Sequence, residues 1–243
     1  METREQGGGR YTEVDLLRSL AIVLMVVYHT AFDLWYFYGF DIDVFSGWWW
    51  LIARSTATLF LLLVGISFVL SSRNCLDESS IWKKSFRRGV IVFACAMFIT
   101  LVTWMFDSAV YIRFGVLHCI AISLFVLPLF RRLGSWNIVV GAGIVFLGFL
   151  IKEQNSTISL LIPFGFIPTD FATLDYFPLF PWLGVIVIGV GIGQFLFWTS
   201  LWGERTRESH LIFRILGQHS LAIYLLHQPI LLAILRLFLG SPL

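Results

Sequence analysis

Hydrophobic and polar positions alternate along the chain in long blocks, and the apolar blocks are of membrane-spanning length. A hydrocarbon core of about 30 Å needs about 20 apolar residues per helix. We therefore predict an all-α, polytopic membrane helix bundle of about seven transmembrane helices. The predicted spans cover approximately residues 14–36, 48–70, 89–106, 111–130, 136–151, 177–198 and 215–239.

The connectors between these spans differ in character. Residues 71–88 are polar and basic, whereas residues 152–176 contain an apolar patch from Ile158 to Phe166 that is interrupted by Pro163. That patch is too short to span, so we expect it to lie in the interface or to re-enter the membrane. The fifth span is short and rich in glycine, which suits close helix packing. Its glycines are Gly141, Gly143 and Gly148.

Charge orients the predicted bundle. Most Lys and Arg residues fall in segments on the same side as the N-terminus, which predicts a cytoplasmic N-terminus and an outer C-terminus. No cleavable signal peptide is apparent, so we expect the first apolar run to remain as an anchor. We predict one integral-membrane domain over residues 1–243, with a short tail at 1–10, in the cytoplasmic (inner) membrane.

Composition supports the membrane class and excludes others. Hydrophobic residues make up 58% of the chain, charged residues 13%, and the mean hydropathy is +0.84, well beyond ordinary soluble domains. The net charge is only +2, and no basic run is interleaved with aromatic residues, so we expect no nucleic-acid partner. Cys75, Cys95 and Cys119 have neither metal-type nor disulfide spacing, so we expect reduced thiols.

A histidine and an aspartate lie inside the first predicted span. His29 and Asp33 are four residues apart and so share one helical face. Ionisable groups in a span usually face a protein interior or a wet cavity. An aspartate there can orient an imidazole as a general base or nucleophile. A polar pair that only joins two helices is an equally weighted alternative.

Other polar residues fall at comparable depth in the outer half of the predicted bundle. We interpret them as lining a polar cavity; they are Arg54, Arg113, His118 and Asp175. His227 lies near mid-membrane beside Pro229, where a hydrogen-bonded kink is the stronger interpretation and catalysis the weaker one. On the inner side, Asp15, Arg18 and His219 are expected to be able to meet.

Two rival chemistries have weaker support. A haem or metal site would use His29, His118 and His227, but no two of them share a helix at ligand spacing. A hydrolase would need a nucleophile motif such as G-x-S-x-G. The segment Gly65-Ile66-Ser67 lacks the second glycine, so we interpret Gly65 and Ser67 as packing residues.

Five motifs in order carry a resemblance to a known family. They lie at residues 10–29 (including the Asp15-Leu16-Leu17-Arg18 segment and ending in His29), 59–67, 113–121, 175–184 and 217–229. Together they resemble the family named after the catalytic domain of heparan-α-glucosaminide N-acetyltransferase, and the chain looks like a short, prokaryotic-type member. The opening and closing motifs are also similar to the wider transmembrane acyltransferases that O-acylate bacterial surface sugars.

The resemblance implies an activity and its partners. An acetyl or other acyl group would pass from cytosolic acyl-CoA, the co-substrate, to an amine or hydroxyl of a sugar or glycan outside. No tightly bound cofactor is implied, and the partners are the bilayer, acyl-CoA and the acceptor. Alternatives are a membrane carrier or lipid-binding protein, and a haem-binding membrane protein.

The positions of the polar residues, taken together with this resemblance, suggest roles for them. The catalytic pair would be His29 and Asp33. The acceptor would be bound by Arg54, Arg113, His118, Asp175 and His227. Acyl-CoA would be bound by Arg10, Asp15 and Arg18. Transfer through a covalent acyl-histidine and direct transfer are both open.

Overall fold

The computed structural model describes residues 11–151, 156, 158–199 and 211–241. This part of the chain is almost entirely helical, and its only β pairing is one isolated bridge between Phe114 and Tyr176. The helices are α1 (Thr12–Tyr38), α2 (Gly47–Ser72), α3 (Glu78–Phe106), α4 (Val116–Phe130), α5 (Asn137–Ile151), α6 (Leu179–Trp198), α7 (Leu211–Gln218) and α8 (Ser220–Leu239). The predicted all-α membrane class is confirmed: six helical segments among the described residues are long and apolar enough to cross a membrane.

The chain forms two compact units, which divide α2 between them. The first unit contains α1, the part of α2 up to Phe60, α7 and α8. The second contains the rest of α2 from Leu61, together with α3, α4, α5 and α6.

In the first unit, α1 packs against α7 and α8, and α1 and α8 run in the same direction. Asp15 near the start of α1 lies beside Gly217, where a Cβ atom would be only 2.6 Å from the carboxylate. At the other end, the hydroxyl of Tyr38 donates to the carbonyl of Gly240 at 3.3 Å. The predicted seventh span is broken at His219, which separates α7 from α8.

In the second unit, α3 begins well before the predicted boundary at Gly89. Asp77 has an extended backbone, and its carboxylate accepts from the amide of Ser80 at 3.2 Å, which satisfies one free donor of the first turn. Much of the basic connector is therefore helical, and the chain between α2 and α3 is short.

The segment counted as one long apolar helix, Val116–Ile151, is a pair of helices. α4 and α5 have 15 residues each. They are separated by a 3₁₀ segment, Arg131–Trp136, in which Gly134 leaves the helical region at φ 56°.

These two helices run in opposite directions along α6. The start of α4 bonds to Asp175, just before α6, and the carbonyl of Arg131 after α4 accepts from Gln194 near the end of α6. The α5 positions Gly141 and Gly148 approach Gly184 and Pro181 in the reverse order. The chain therefore folds back at residues 131–136.

Residues before α4 and before α6 pair with each other. The amide of Phe177 donates to the carbonyl of Phe114 at 3.0 Å, and the amide of Leu174 donates to the carbonyl of Val110 at 2.8 Å. Residues 110–115 are thus not helical, although the sequence predicted a helix from Tyr111. The apolar patch forms a short 3₁₀ turn, Ser159–Phe164, in which Leu160 is largely exposed.

Candidate functional site

Two histidines from different helices meet in the first unit. The rings of His29 on α1 and His227 on α8 have centroids 4.8 Å apart. Both side chains have a buried ring nitrogen without a hydrogen-bond partner, Nδ1 of His29 and Nε2 of His227. Their separation in sequence explains why helical spacing could not pair them.

Asp33 takes part in the same helix contact through a residue that the sequence analysis did not select. Its carboxylate oxygen Oδ1 accepts a short hydrogen bond from Nε2 of Gln228, which follows His227 directly. Asp33 is fully buried, and its second oxygen, Oδ2, has no partner. The aspartate therefore bonds across to α8, and the expected bond from Asp33 to His29 is not among the described contacts.

His227 is fixed by its own helix. Its Nδ1 lies 2.6 Å from the carbonyl oxygen of Tyr224, and the ring is mostly buried. The ring of Tyr224 also lies 5.6 Å from that of His227. Tyr224 and His227 are three residues apart, so they share one face of α8.

Arg54 is electrostatically connected to this cluster through a tyrosine. Its guanidinium interacts electrostatically with Tyr28, and the Tyr28 ring lies 5.8 Å from that of His29 in an edge-on arrangement. The first unit thus brings together four residues that the sequence analysis selected, namely His29, Asp33, Arg54 and His227, and adds Gln228.

Three other selected residues lie in the second unit, around the start of α4. Nδ1 of His118 accepts from the amide of Gly115 at 3.2 Å, and its Nε2 lies 3.3 Å from Oγ1 of Thr100. Oγ1 of Thr100 donates to the carbonyl of Ile112, so it accepts from His118. Both ring nitrogens of His118 are thus engaged in bonds that hold the start of α4.

Asp175 also binds the start of α4. Its carboxylate accepts from the amide of Val116 at 2.9 Å, which places negative charge at a helix N-terminus. A Cβ atom at residue 115 would lie 2.2 Å from the same carboxylate oxygen, so glycine is required there. Burial raises the pKa of Asp175 to about 6, and the bond from Val116 opposes this rise.

Arg113 is held by aromatic rings. Its guanidinium carbon lies 5.1 Å from the ring centroid of Tyr111 and 5.3 Å from that of Phe171. Cation–π contacts of this kind stabilise a guanidinium without neutralising it. Nε of Arg113 is buried and has no hydrogen-bond partner.

The residues expected to bind acyl-CoA are partly described. Arg18 donates to Asp15 at 3.3 Å on the first turns of α1. Asp15 is almost fully buried, and the Ser19 hydroxyl donates to its backbone carbonyl. Arg10 lies outside the described residues. His219, which was expected near Asp15, lies two residues beyond Gly217, which contacts Asp15.

A cavity of about 310 Å³ lies on a neighbouring part of α1. Its lining is apolar except for Thr30, whose hydroxyl is already bonded to the carbonyl of Val26. Trp49, at the start of α2, completes one side. Within the described residues, no group of three or more His, Cys, Asp or Glu side chains is placed to hold a metal ion.

Comparison with known proteins gives one family. The family model described as "Heparan-alpha-glucosaminide N-acetyltransferase, catalytic" matches residues 10–229. Neither the curated proteins nor the solved structures give a significant match. The matched range begins just before α1 and ends at Pro229 on α8, so it includes the helices that carry both histidines.

Proposed function

Since the chain belongs to the heparan-alpha-glucosaminide N-acetyltransferase catalytic family, we propose that it moves an acyl group from cytosolic acyl-CoA to a sugar outside. The family and the apolar helices assign it to the integral membrane acetyltransferases. The proposed acceptor group is an amine or hydroxyl of a sugar or glycan. The proposed location is the cytoplasmic membrane.

One observation carries the proposal: His29 and His227 lie side by side within helices of membrane-spanning length. Buried polar atoms without partners are rare because each lowers stability by about 1–3 kcal/mol. Here four occur in one cluster, on His29, Asp33, His227 and Gln228. An arrangement of this kind supports binding of a polar group that is supplied from outside the chain.

The proposed roles follow from position and charge. His29 acts as base or nucleophile, and the unpartnered oxygen of Asp33, one helical turn away, stabilises a positively charged imidazole. Arg54 binds the acceptor or stabilises the developing oxyanion.

The remaining selected residues hold segments of the chain in place or bind acyl-CoA. His118 and Asp175 hold the start of α4, and through it the segment that carries Arg113. Arg18 and Arg10 are proposed to contact the phosphates of acyl-CoA, because arginine is well suited to phosphate recognition. Asp15 fixes the side chain of Arg18. Acyl-CoA acts as a co-substrate in this proposal.

The direct test replaces His29 by alanine. Purified protein in proteoliposomes is given radiolabelled acetyl-CoA with glucosamine or glucose, which differ in an amine against a hydroxyl. We expect His29→Ala to lower acyl transfer by about 10²–10⁴-fold, the usual contribution of a general base. His219→Ala is the matched control, because that histidine is exposed and outside the cluster.

Two outcomes would contradict the proposal. Wild-type protein that leaves the thioester intact with every sugar acceptor would favour a carrier or binding protein instead. Undiminished transfer by folded His29→Ala would remove His29 from the chemistry while leaving the family activity in place.

A further inference from the structure

We propose that His227 is a second catalytic residue, the base that takes the proton from the acceptor through Nε2. This inference rests on the proposed acyl transfer and gives the two imidazoles different roles.

The bond to Tyr224 determines which nitrogen of His227 carries the proton. A carbonyl oxygen only accepts hydrogen bonds, so Nδ1 of His227 must be the donor in its 2.6 Å contact. A neutral imidazole carries one N–H, so Nε2 holds a free lone pair. His227 is therefore held in the tautomer that a general base needs.

A purely structural role does not account for this bond. Pro229 lacks an amide hydrogen and so leaves the carbonyl of Leu225, four residues earlier, without its helical donor. His227 bonds to Tyr224 instead. The hydrogen bond thus fixes the ring of His227 and does not repair the helix at the proline.

The free lone pair faces an environment that is suited to a donor ligand. Nε2 of His227 is buried and unpartnered, as are Oδ2 of Asp33 and Oε1 of Gln228. The donation from Nε2 of Gln228 to Asp33 fixes the orientation of the Gln228 amide, whose oxygen Oε1 is a hydrogen-bond acceptor. Three acceptors in one cluster match the N–H or O–H hydrogens of an acceptor substrate.

Charged and titratable groups from three helices lie near His227. They are His29 and Asp33 on α1, Tyr224 on α8, and Arg54 on α2, which interacts with Tyr28 beside His29. Of these groups, Asp33, which is hydrogen-bonded to the adjacent Gln228, can stabilise the imidazolium that forms in the reaction. His29 then keeps the role of nucleophile in a route through a covalent acyl-histidine.

The chemical step balances as follows in direct transfer. The acceptor nitrogen or oxygen forms a bond to the acyl carbon while its proton moves to Nε2 of His227. The C–S bond breaks, and the sulfur of CoA takes the electron pair. That sulfur then receives the proton from His227, which regenerates the neutral imidazole. No oxidant or additional reactant is required.

Two substitutions separate base catalysis from a structural role. Asn at residue 227 can place an amide donor near the Nδ1 position and keep the bond to Tyr224, but it removes the basic nitrogen. Gln places a polar group near the Nε2 position and loses that bond. We expect His227→Asn to retain its melting temperature and its KM for acetyl-CoA while kcat falls about 10²–10⁴-fold. We expect His227→Gln to lose activity to a similar extent.

The outcomes discriminate between the two proposals. If wild-type protein transfers acetyl groups to glucosamine and folded His227→Asn keeps its kcat, His227 is not the base and the enzyme assignment stands. If wild-type protein transfers no acetyl group, the proposed acyl transfer is contradicted, and the role of His227 as its base is contradicted with it.

Nitrogen NMR of labelled histidine in wild-type protein tests the tautomer without any substitution. An unprotonated Nε2 on His227 is expected, and a protonated one would overturn the inference even if both variants fail to fold.

Discussion

At the scale of single residues, the ionisation of Asp175 has a predictable effect on stability. Its ordinary pKa is 3.8, and burial raises the pKa to about 6. The folded protein therefore keeps this proton at pH values where the unfolded chain has released it. The stabilisation is fully present below about pH 4 and is lost as the pH rises through about 6.

Asp175→Asn tests this dependence. An asparagine can still accept from the amide of Val116, and it never ionises, so the variant should lack the loss of stability between about pH 4 and pH 6. The expected difference from wild type is about 3 kcal/mol by pH 7, in favour of Asn. Melting curves of both proteins in one detergent across this range measure it. A constant difference at all pH values would show that the carboxyl titrates normally.

The sequence indicated that His29 and Asp33 lie together but did not identify their partners. The His29–Asp33 spacing places both groups on one helical face, and both lie in the cluster that the structure forms. The partner of Asp33, however, is 195 residues away on α8. Gln228 carried no signal of its own, because an isolated glutamine next to a proline fits many roles. Similarly, the bonds of His118 to Gly115 and Thr100 depend on loop geometry that no spacing rule encodes.

At the scale of elements, the glycines of α5 differ in a way that composition alone did not reveal. All three were expected to support close packing. The structure places Gly141 and Gly148 against α6, where a Cβ atom would come within 2.6 Å and 2.7 Å of the backbone of Gly184 and Pro181. Nothing lies within 4 Å of a Cβ atom at Gly143.

Alanine substitutions should reproduce this difference. Gly141→Ala and Gly148→Ala force the two backbones apart, because contacts of this length are with main-chain atoms that cannot turn away. We expect each to destabilise the protein by about 1–3 kcal/mol. Gly143→Ala is the matched control and should be neutral or slightly stabilising, since alanine favours helix. Thermal unfolding of the three variants checks this, and equal losses would contradict the packing that the structure describes.

Element boundaries depended on local capping that hydrophobicity does not report. The helix α3 extends into a polar segment because Asp77 caps it, although apolar content begins only near Gly89. Conversely, α4 starts later than its apolar run, because residues 110–115 bond to the segment before α6. Periodicity identifies the buried core of an element, whereas side-chain and backbone bonds set its ends.

At the scale of the whole molecule, helix directions bear on the predicted number of spans. Within the first unit, α1 and α8 run in the same direction. Six helices, α2 to α7, lie between them in the chain, and α7, with eight residues, is too short to cross. Parallel first and last helices require an odd number of crossings if each helix crosses once. Counting α4 and α5 separately gives seven, whereas counting them as one gives six, so the seven crossings stay a prediction.

The short lengths of α4 and α5 argue against a count of seven crossings. A 15-residue helix rises only about 22 Å, which is shorter than a typical hydrocarbon core of about 30 Å. The non-helical residues 110–115 and the 3₁₀ turn at 131–136 add length at the two ends of α4. Because α4 and α5 run oppositely along α6, the reversal between them supports two short crossings over one long one.

The predicted orientation can be measured at the two ends of α3, which are separated by 29 helical residues. The excess of Lys and Arg around the α2–α3 connector predicts that this end is cytoplasmic. In a Cys75→Ser background, Leu76→Cys is fully exposed beside α3, and Ser108→Cys is exposed just beyond its other end. A membrane-impermeant maleimide should label Ser108→Cys in intact cells and Leu76→Cys only after permeabilisation. The start of α1 and the α2–α3 connector are separated by two crossings, those of α1 and α2, and so lie on the same side of the membrane. The reverse labelling pattern would therefore place Arg18, the proposed acyl-CoA ligand, on the outer side.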